Sequence, residues 1–355
     1  MLRTAFSLLS PAGRHASLSV LIFHRVLAAP DPLSPGEVDA VRFDRVCGWI
    51  RQWFNVLPLD EAVRRMKSEA LPERAMAITF DDGYRDNREV ALPILQRHGL
   101  CATFFVATGF LDGGRMWNDT IVETLRRTEL PVLDVDDLLE TRHGAMPLRD
   151  AAQRRQAIDR ILPAVKYLAP GHRLRVADAL ARRARVDRLP DDLMMSGEQV
   201  VELHRAGMQI GAHTVSHPIL TRVGEPEVLQ ELSQSKAHLE ALTDSAVSLF
   251  AYPNGAPGTD FGEREVRAAR SCGFSAAVTT GWGVARNDTD VYRLPRFTPW
   301  GLTRARFALG LARNIRSGRA AGHGERLRNG MGAATAPAAQ GTAAAARTAR
   351  NEDAT

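Results

Sequence analysis

The sequence predicts an α/β fold in which parallel strands lie inside a layer of helices, and three observations carry that expectation. Short apolar runs alternate with amphipathic stretches along most of the chain. Several of those runs end abruptly on side chains able to do chemistry, as in Phe23-His24, Phe80-Asp81-Asp82 and Ala212-His213. With 355 residues, 45% hydrophobic and 25% charged, the chain is long enough to hold a barrel domain of about 250 residues as one unit.

The elements follow in order. Residues 18–23 read as a buried strand. Residues 43–53 have helical periodicity, and Pro58-Leu59-Asp60-Glu61 opens a helix running to Lys67. Residues 75–80 form a strand, 89–98 a helix stopped by Gly99, and 102–107 a second clean strand. From about 112 to 192 the composition turns to arginine and alanine, with helical periodicity over 120–127, 150–162 and 172–185. This reads as a helical insertion. Alternation resumes with a helix over 196–205, N-capped by Ser196, and a strand over 208–212. Helices over 225–242 and 263–272 and strands over 247–251, 275–279 and 292–297 complete the pattern. The expected organisation is a lead-in over 1–17, one domain over 18–318 and a tail over 319–355. The tail is rich in Ala, Gly, Thr and Arg and lacks the large apolar residues that offset ordering entropy, so disorder is expected there.

Composition bounds the function. A net charge of +5 is mild for this length, and no recognition motif accompanies it, so nucleic-acid binding is not expected. Cys47, Cys101 and Cys272 are odd in number and far apart, which argues for reduced, buried thiols rather than disulfides or a thiolate zinc site. The N-terminal apolar stretch around Phe6 to Leu9 is broken by Pro11, Gly13, Arg14 and His15. A membrane span needs about 20 apolar residues, so neither a span nor an export signal is read, and a cytoplasmic location is expected.

Each chemically suggestive segment follows an expected strand. Adjacent carboxylates such as Asp81 and Asp82 are costly beside a core unless paired or metal-bound. On this segment alone a strand-end Asp-Gly turn competes evenly with that reading. His213 and His217, at i and i+4, are placed on one face of a helical turn where both can reach one metal ion. Two imidazoles and a carboxylate suit zinc or another divalent metal and leave positions open. The third segment, Phe250-Ala251-Tyr252-Pro253-Asn254-Gly255, is strong turn chemistry that could wall a groove. Trp117, Trp282 and Trp300 could stack on sugar rings, although packing is the simpler role.

Together these segments resemble the polysaccharide deacetylase family, the NodB-homology domain of carbohydrate esterase family 4, in its exopolysaccharide-deacetylase-like branch. Thr79-Phe80-Asp81-Asp82-Gly83 is similar to that family's first motif, and His213-Thr214-Val215-Ser216-His217 to its second. Residues 250–255 sit where its third belongs. The resemblance implies a distorted parallel (β/α) barrel carrying the helical insertion. It also implies metal-dependent removal of N-acetyl groups from the amino sugars of a polysaccharide. Asp81 would be the general base, and Asp82, His213 and His217 would hold a divalent ion, zinc first with cobalt, nickel or manganese as alternatives. The backbone N–H of Tyr84 would hold the oxyanion, and Tyr252, Pro253, Asn254 and Gly255 would contact the substrate.

Two departures stand out. Ala251 occupies the position of the family's third-motif arginine, and Arg293-Leu294-Pro295-Arg296-Phe297 lacks the family's late histidine. Arg296 is therefore expected to supply the guanidinium that orients Asp81, and His24 to serve as general acid. The expected partner is an N-acetylated glycan. A deacylase of a non-glycan amide or O-acetyl ester remains the near rival, and a non-catalytic glycan-binding protein on the same fold the more distant one.

Overall fold

The computed structural model describes residues 2–142, 144–299 and 303–320. Seven strands form one sheet: β1 Leu18–Phe23, β2 Asn55–Val56, β3 Ala75–Phe80, β4 Thr103–Val106, β5 Gln209–Ala212, β6 Leu249–Ala251 and β7 Ala276–Val278. The order is β1-β3-β4-β5-β6-β7, with short β2 paired to the start of β3, and every pairing is parallel. The sheet curls into a half-barrel. β1 and β3 are buried along their whole length, because helices cover one side and barrel-filling side chains the other. Phe80 stacks on Phe104 at 4.7 Å and on Phe23 at 5.3 Å, so adjacent strands share one aromatic layer.

Helices α1 Leu2–Leu9, α2 Ala40–Trp53, α3 Leu59–Lys67 and α4 Leu92–His98 belong to the N-terminal half. The lead-in thus carries a helix of its own, and its Phe6 packs 4.7 Å from Phe54. Asn87–Ala91 is a π-helical turn feeding α4, so the expected helix over 89–98 begins irregularly. The insertion contains α5 Trp117–Arg127, α6 Ala151–Lys166 and α7 Pro170–Arg183, plus a short antiparallel pair, Val132–Leu133 with Met146–Pro147. These elements bury a separate apolar cluster around Ile121, Leu125, Ile158, Ile161 and Leu180. Helices α8 Gly197–Arg205, α9 Glu225–Thr243 and α10 Glu263–Ser271 alternate with β5 to β7. Ser196 caps α8 in a reciprocal box with Gln199. A final helix, α11 Arg304–Ala320, was not anticipated, and it buries Phe307, Leu311 and Ile315.

The strand expected over 292–297 is replaced by a tight turn, Val291–Arg293, and an extended segment making single bridges. Leu294 bridges Val278 of β7 and Phe297 bridges Leu21 of β1. Pro295, between them, has no N–H to extend a ladder. This segment links the two edges of the curled sheet. Of the expected tail, residues 321–355 lie outside the described residues, as do His143 and Trp300. Among the described residues no helix is long and apolar enough to cross a membrane. All three cysteines are free; Cys47 is buried, and burial pushes its thiol pKa up.

Candidate active site

Parallel strands put their carboxyl ends on one rim. There β1 delivers His24, β3 delivers Asp81 and Asp82, β5 delivers His213, and the bridging segment brings in Arg296. Asp81 and Arg296 are 2% and 1% exposed, and they meet in a fork. Arg296 Nη1 donates to Asp81 Oδ1 and Nη2 to Oδ2, both at 2.7 Å. Nη1 also reaches Thr79 Oγ1 at 3.2 Å, and Nε donates to the Thr279 carbonyl at 2.7 Å. Burial alone would raise the Asp81 pKa. The Arg296 guanidinium, helped by His213, more than offsets that and holds it below the ordinary carboxylate value. Ala251 has no guanidinium to offer, and Arg296 occupies that chemical role from the far end of the chain.

Asp82 turns away from Asp81 because the backbone reverses there. Its φ is +77°, and the Gly83 N–H donates to the Asp81 carbonyl at 3.0 Å, closing a tight three-residue turn. Such a backbone costs about 1–3 kcal/mol at a non-glycine residue. It is held by the Ala107 N–H donating to the Asp82 carbonyl at 3.2 Å. Gly83, at φ +90°, lies against β4, and an added Cβ would sit 3.0 Å from Val106 Cγ1.

His213 and His217 do not share a helical turn, contrary to expectation. Residues 213–217 form a loop with Thr214 at φ +67° and His217 at φ +53°. Its orphan donors converge on Glu231 of α9. The carboxylate accepts Val215 N–H at 2.7 Å, Ser216 N–H at 2.8 Å and the Ser216 hydroxyl at 2.5 Å. These bonds replace the helical ones, and the loop still brings the two imidazole centroids within 4.8 Å.

One ligand atom each from Asp82, His213 and His217 lie within 4.8 Å of one another. Asp82 Oδ1 is 3.4 Å from both Nε2 atoms. His213 Nδ1 sits 2.7 Å from the Ala251 carbonyl, which can only accept. The proton is therefore on Nδ1 and the Nε2 lone pair is free. Burial lowers the His217 pKa to about 3, with the Arg173 charge adding and Asp82 opposing, so this imidazole is neutral and competent as a ligand. Burial lowers the His213 pKa, but Asp82 and Asp81 outweigh it and raise the value, an affinity for positive charge that an ion would satisfy in place of a proton. A carboxylate and two imidazoles at this rim fit a divalent ion.

His24 stands at the end of β1, partly exposed, its carbonyl accepting Asn87 Nδ2 at 2.8 Å. Its charge bears on both Asp81 and Asp82. Tyr84 bridges Met194, and the flanking bonds, Arg85 N–H to the Leu193 carbonyl and Met195 N–H to the Gly83 carbonyl, do not use the Tyr84 N–H. The third segment needs correction. Tyr252 is 1% exposed and stacked at 3.9 Å on Phe261, and Pro253 and Gly255 are also buried, so only Asn254 keeps a partly open surface. Gly255, at φ +64°, leaves no room for a side chain: an added Cβ would sit 2.9 Å from the Tyr252 carbonyl oxygen and 3.1 Å from the Thr280 nitrogen. Trp282 is 64% exposed, and Trp117 is half-buried.

Sequence reasoning missed a supporting network. The Tyr84 hydroxyl lies 3.1 and 3.2 Å from the two oxygens of Asp119, at the start of α5 in the insertion. Arg25 covers the Tyr84 ring at 4.6 Å and pairs with Asp86 at 2.8 Å. Nothing in the local pattern links residue 84 to residue 119; the polar run Tyr84-Arg85-Asp86-Asn87 was the available signal. Burial raises the Asp119 pKa to about 7, with Asp82 adding and Arg25 opposing. An acid raised in the folded state is penalised as pH climbs from its unfolded value of about 4 to that of the folded state. Asp119→Asn is therefore expected to melt higher than the parent at pH 8, by on the order of 2–4 kcal/mol, with the advantage gone near pH 4. Equal stability differences at both pH values in thermal melts would contradict it.

A curled parallel sheet presenting a held carboxylate beside a metal-ready donor set defines a hydrolytic enzyme rather than a scaffold. The polysaccharide deacetylase family profile matches residues 68–131 and 177–277, so the chain carries a polysaccharide deacetylase domain, interrupted by the core of the insertion. YxkH of Bacillus subtilis (strain 168), named as a candidate polysaccharide deacetylase, is 20% identical over 283 residues, 79% of this chain and 71% of that protein. The structure resembles the Streptococcus pyogenes deacetylase PplD in complex with acetate, with TM-score 0.57, 18% identity, and 84% and 98% of the two chains covered. It also resembles IcaB from Ammonifex degensii, with TM-score 0.53, 19% identity, and 86% and 98% covered.

Proposed function

We propose that this chain removes N-acetyl groups from amino sugars of a glycan with a divalent ion held by Asp82, His213 and His217. The observation that carries the proposal is the buried Asp81–Arg296 fork beside that donor set. Bound there, the ion supplies Lewis-acid polarisation of the acetyl carbonyl. Asp81 remains ionised at neutral pH and takes the proton of the attacking water. Arg296 keeps both its oxygens oriented and is a positioning residue. The Tyr84 N–H, which the flanking backbone bonds do not use, donates to the developing oxyanion. His24, across the rim, donates a proton to the leaving amine, without which the tetrahedral adduct reverts. The network of Arg25, Asp86 and Asn87 fixes the backbone on which His24 rides.

Acetate release from N-acetylglucosamine oligomers tests this. Chelated protein is expected to be inactive and to recover with zinc or cobalt. His24→Ala is expected to lower kcat by roughly 10²–10⁴-fold while leaving metal binding intact. Undiminished turnover in chelated protein sinks the metal assignment, and unchanged kcat in the His24 variant sinks the proton donor.

A further inference from the structure

Three arginines are buried among the described residues: Arg74, Arg173 and Arg296. Arg74 pairs with Glu73 and Arg296 with Asp81. Arg173, near the start of α7 and 4% exposed, has no carboxylate partner among the described residues. Its one hydrogen bond runs from Nη1 to the Lys166 carbonyl at 3.2 Å, and its Nε is buried without an acceptor. A guanidinium carries five donors, and leaving a buried charge unmatched is unfavourable by several kcal/mol. Burial accordingly lowers its pKa with nothing opposing.

Its position gives the unmatched charge a use. The guanidinium lies 5.0 Å from the Trp117 ring centroid, and two residues on, Asp119 grips Tyr84 beside the metal donors. The charge of Arg173 is felt at His217. Around the same corner, Lys166 and Arg222 both face the Tyr167 ring, at 5.3 and 5.6 Å. The carboxylate there, Asp260, bears on Lys166 and Arg222 rather than on Arg173. Lys166 and Arg222 thus share Asp260, whereas Arg173, buried to 4% exposure, has no carboxylate partner among the described residues.

We propose that Arg173 is a specificity residue that takes an oxyanion, a carboxylate or a phosphate, carried by the sugar at or next to the acetylated one. The substrate is then an acidic acetylated glycan. The inference rests on the deacetylase reading and deepens it. A planar fork matches either oxyanion with two parallel bonds, and Trp117 fixes the plane of that fork.

The test compares the zinc-loaded full chain, Arg173→Met and Arg173→Lys on three probes: chitotetraose, a tetrasaccharide alternating N-acetylglucosamine with glucuronate, and N-acetylglucosamine 1-phosphate. The parent is expected to favour one acidic probe, and which one identifies the oxyanion. Arg173→Met is expected to lower kcat/KM on that probe by roughly 10–100-fold, chiefly through KM, and to leave chitotetraose within about twofold. Arg173→Lys, which keeps the charge but not the fork, falls between. A parent indifferent to charge, or a variant that loses all probes equally, overturns the inference. If no probe yields acetate, the deacetylase reading fails, and calorimetric binding then decides this one. Tighter binding of an acidic probe that is lost in Arg173→Met sustains the subsite, and its absence overturns it. Thermal melting of both variants no lower than that of the parent is the folding control, Arg173→Met being expected to melt higher because it removes an unmatched buried charge.

Discussion

Asp81→Asn is expected to lower kcat by roughly 10²–10⁴-fold with little change in metal affinity. The carboxylate is outside the Asp82, His213 and His217 donor set, so the ion's coordination does not depend on it. What is lost is the acceptor for the water's proton. An amide cannot take that proton, whereas Asp81, with the Arg296 guanidinium against it, is ionised at neutral pH. The measurement pairs acetate release with zinc titration of the same protein. Retained turnover would move the base elsewhere on the rim. Parallel loss of zinc binding would mean that Asp81 belongs to the coordination shell.

Arg296→Met is expected to be the most destabilising single change at the site, by about 3–5 kcal/mol, because it strands a buried carboxylate. Four hydrogen bonds fix this guanidinium, two to Asp81, one to the Thr79 hydroxyl and one to the Thr279 carbonyl. Asp81→Asn strands the arginine in turn, so each single variant carries a penalty for the partner left behind. The double variant is then expected to lose less than the sum of the two, with a coupling of about 1–3 kcal/mol in urea melts. Strict additivity would show that the fork is not a unit. Arg296→Lys keeps the charge but supplies a point donor, and kcat is expected to fall while most stability survives. Equal activity in the lysine variant would remove orientation from the list of what Arg296 does.

Much of this was legible in the sequence because the fold places chemistry at strand ends. β1 and β3 have the anticipated bounds, 18–23 and 75–80, and the residues after them are those that reach the rim. What was not legible depends on partners distant in the chain. The loop over 213–217 departs from a helical turn because Glu231 gathers its donors from 15 or 16 residues away. The final strand dissolved into single bridges because Pro295 interrupts it, yet those bridges deliver Arg296. Tyr252 reads as groove chemistry in a turn motif, but Phe261 claims its face. Helix α11 carries four arginines and no acid over Arg304–Arg316, a composition that hides the Phe307, Leu311 and Ile315 stripe by which it packs. Asp119 and Arg173 enter from an insertion whose sequence speaks only of helices.

The fork between Asp81 and Arg296 joins residues 215 positions apart. A ribosome delivers the carboxylate first and its counter-charge 215 positions later. Until residue 296 has emerged, the nascent chain holds Asp81 unpaired, and the edges formed by β1 and β7 have no bridge between them. Contacts of such long sequence separation form slowly, after the loop-closure entropy has been met. Hydrolytic competence therefore waits on residue 296 rather than being acquired piecewise. If Asp82, His213 and His217 hold an ion as proposed, a growing polypeptide that already displays them would capture it before it could use it.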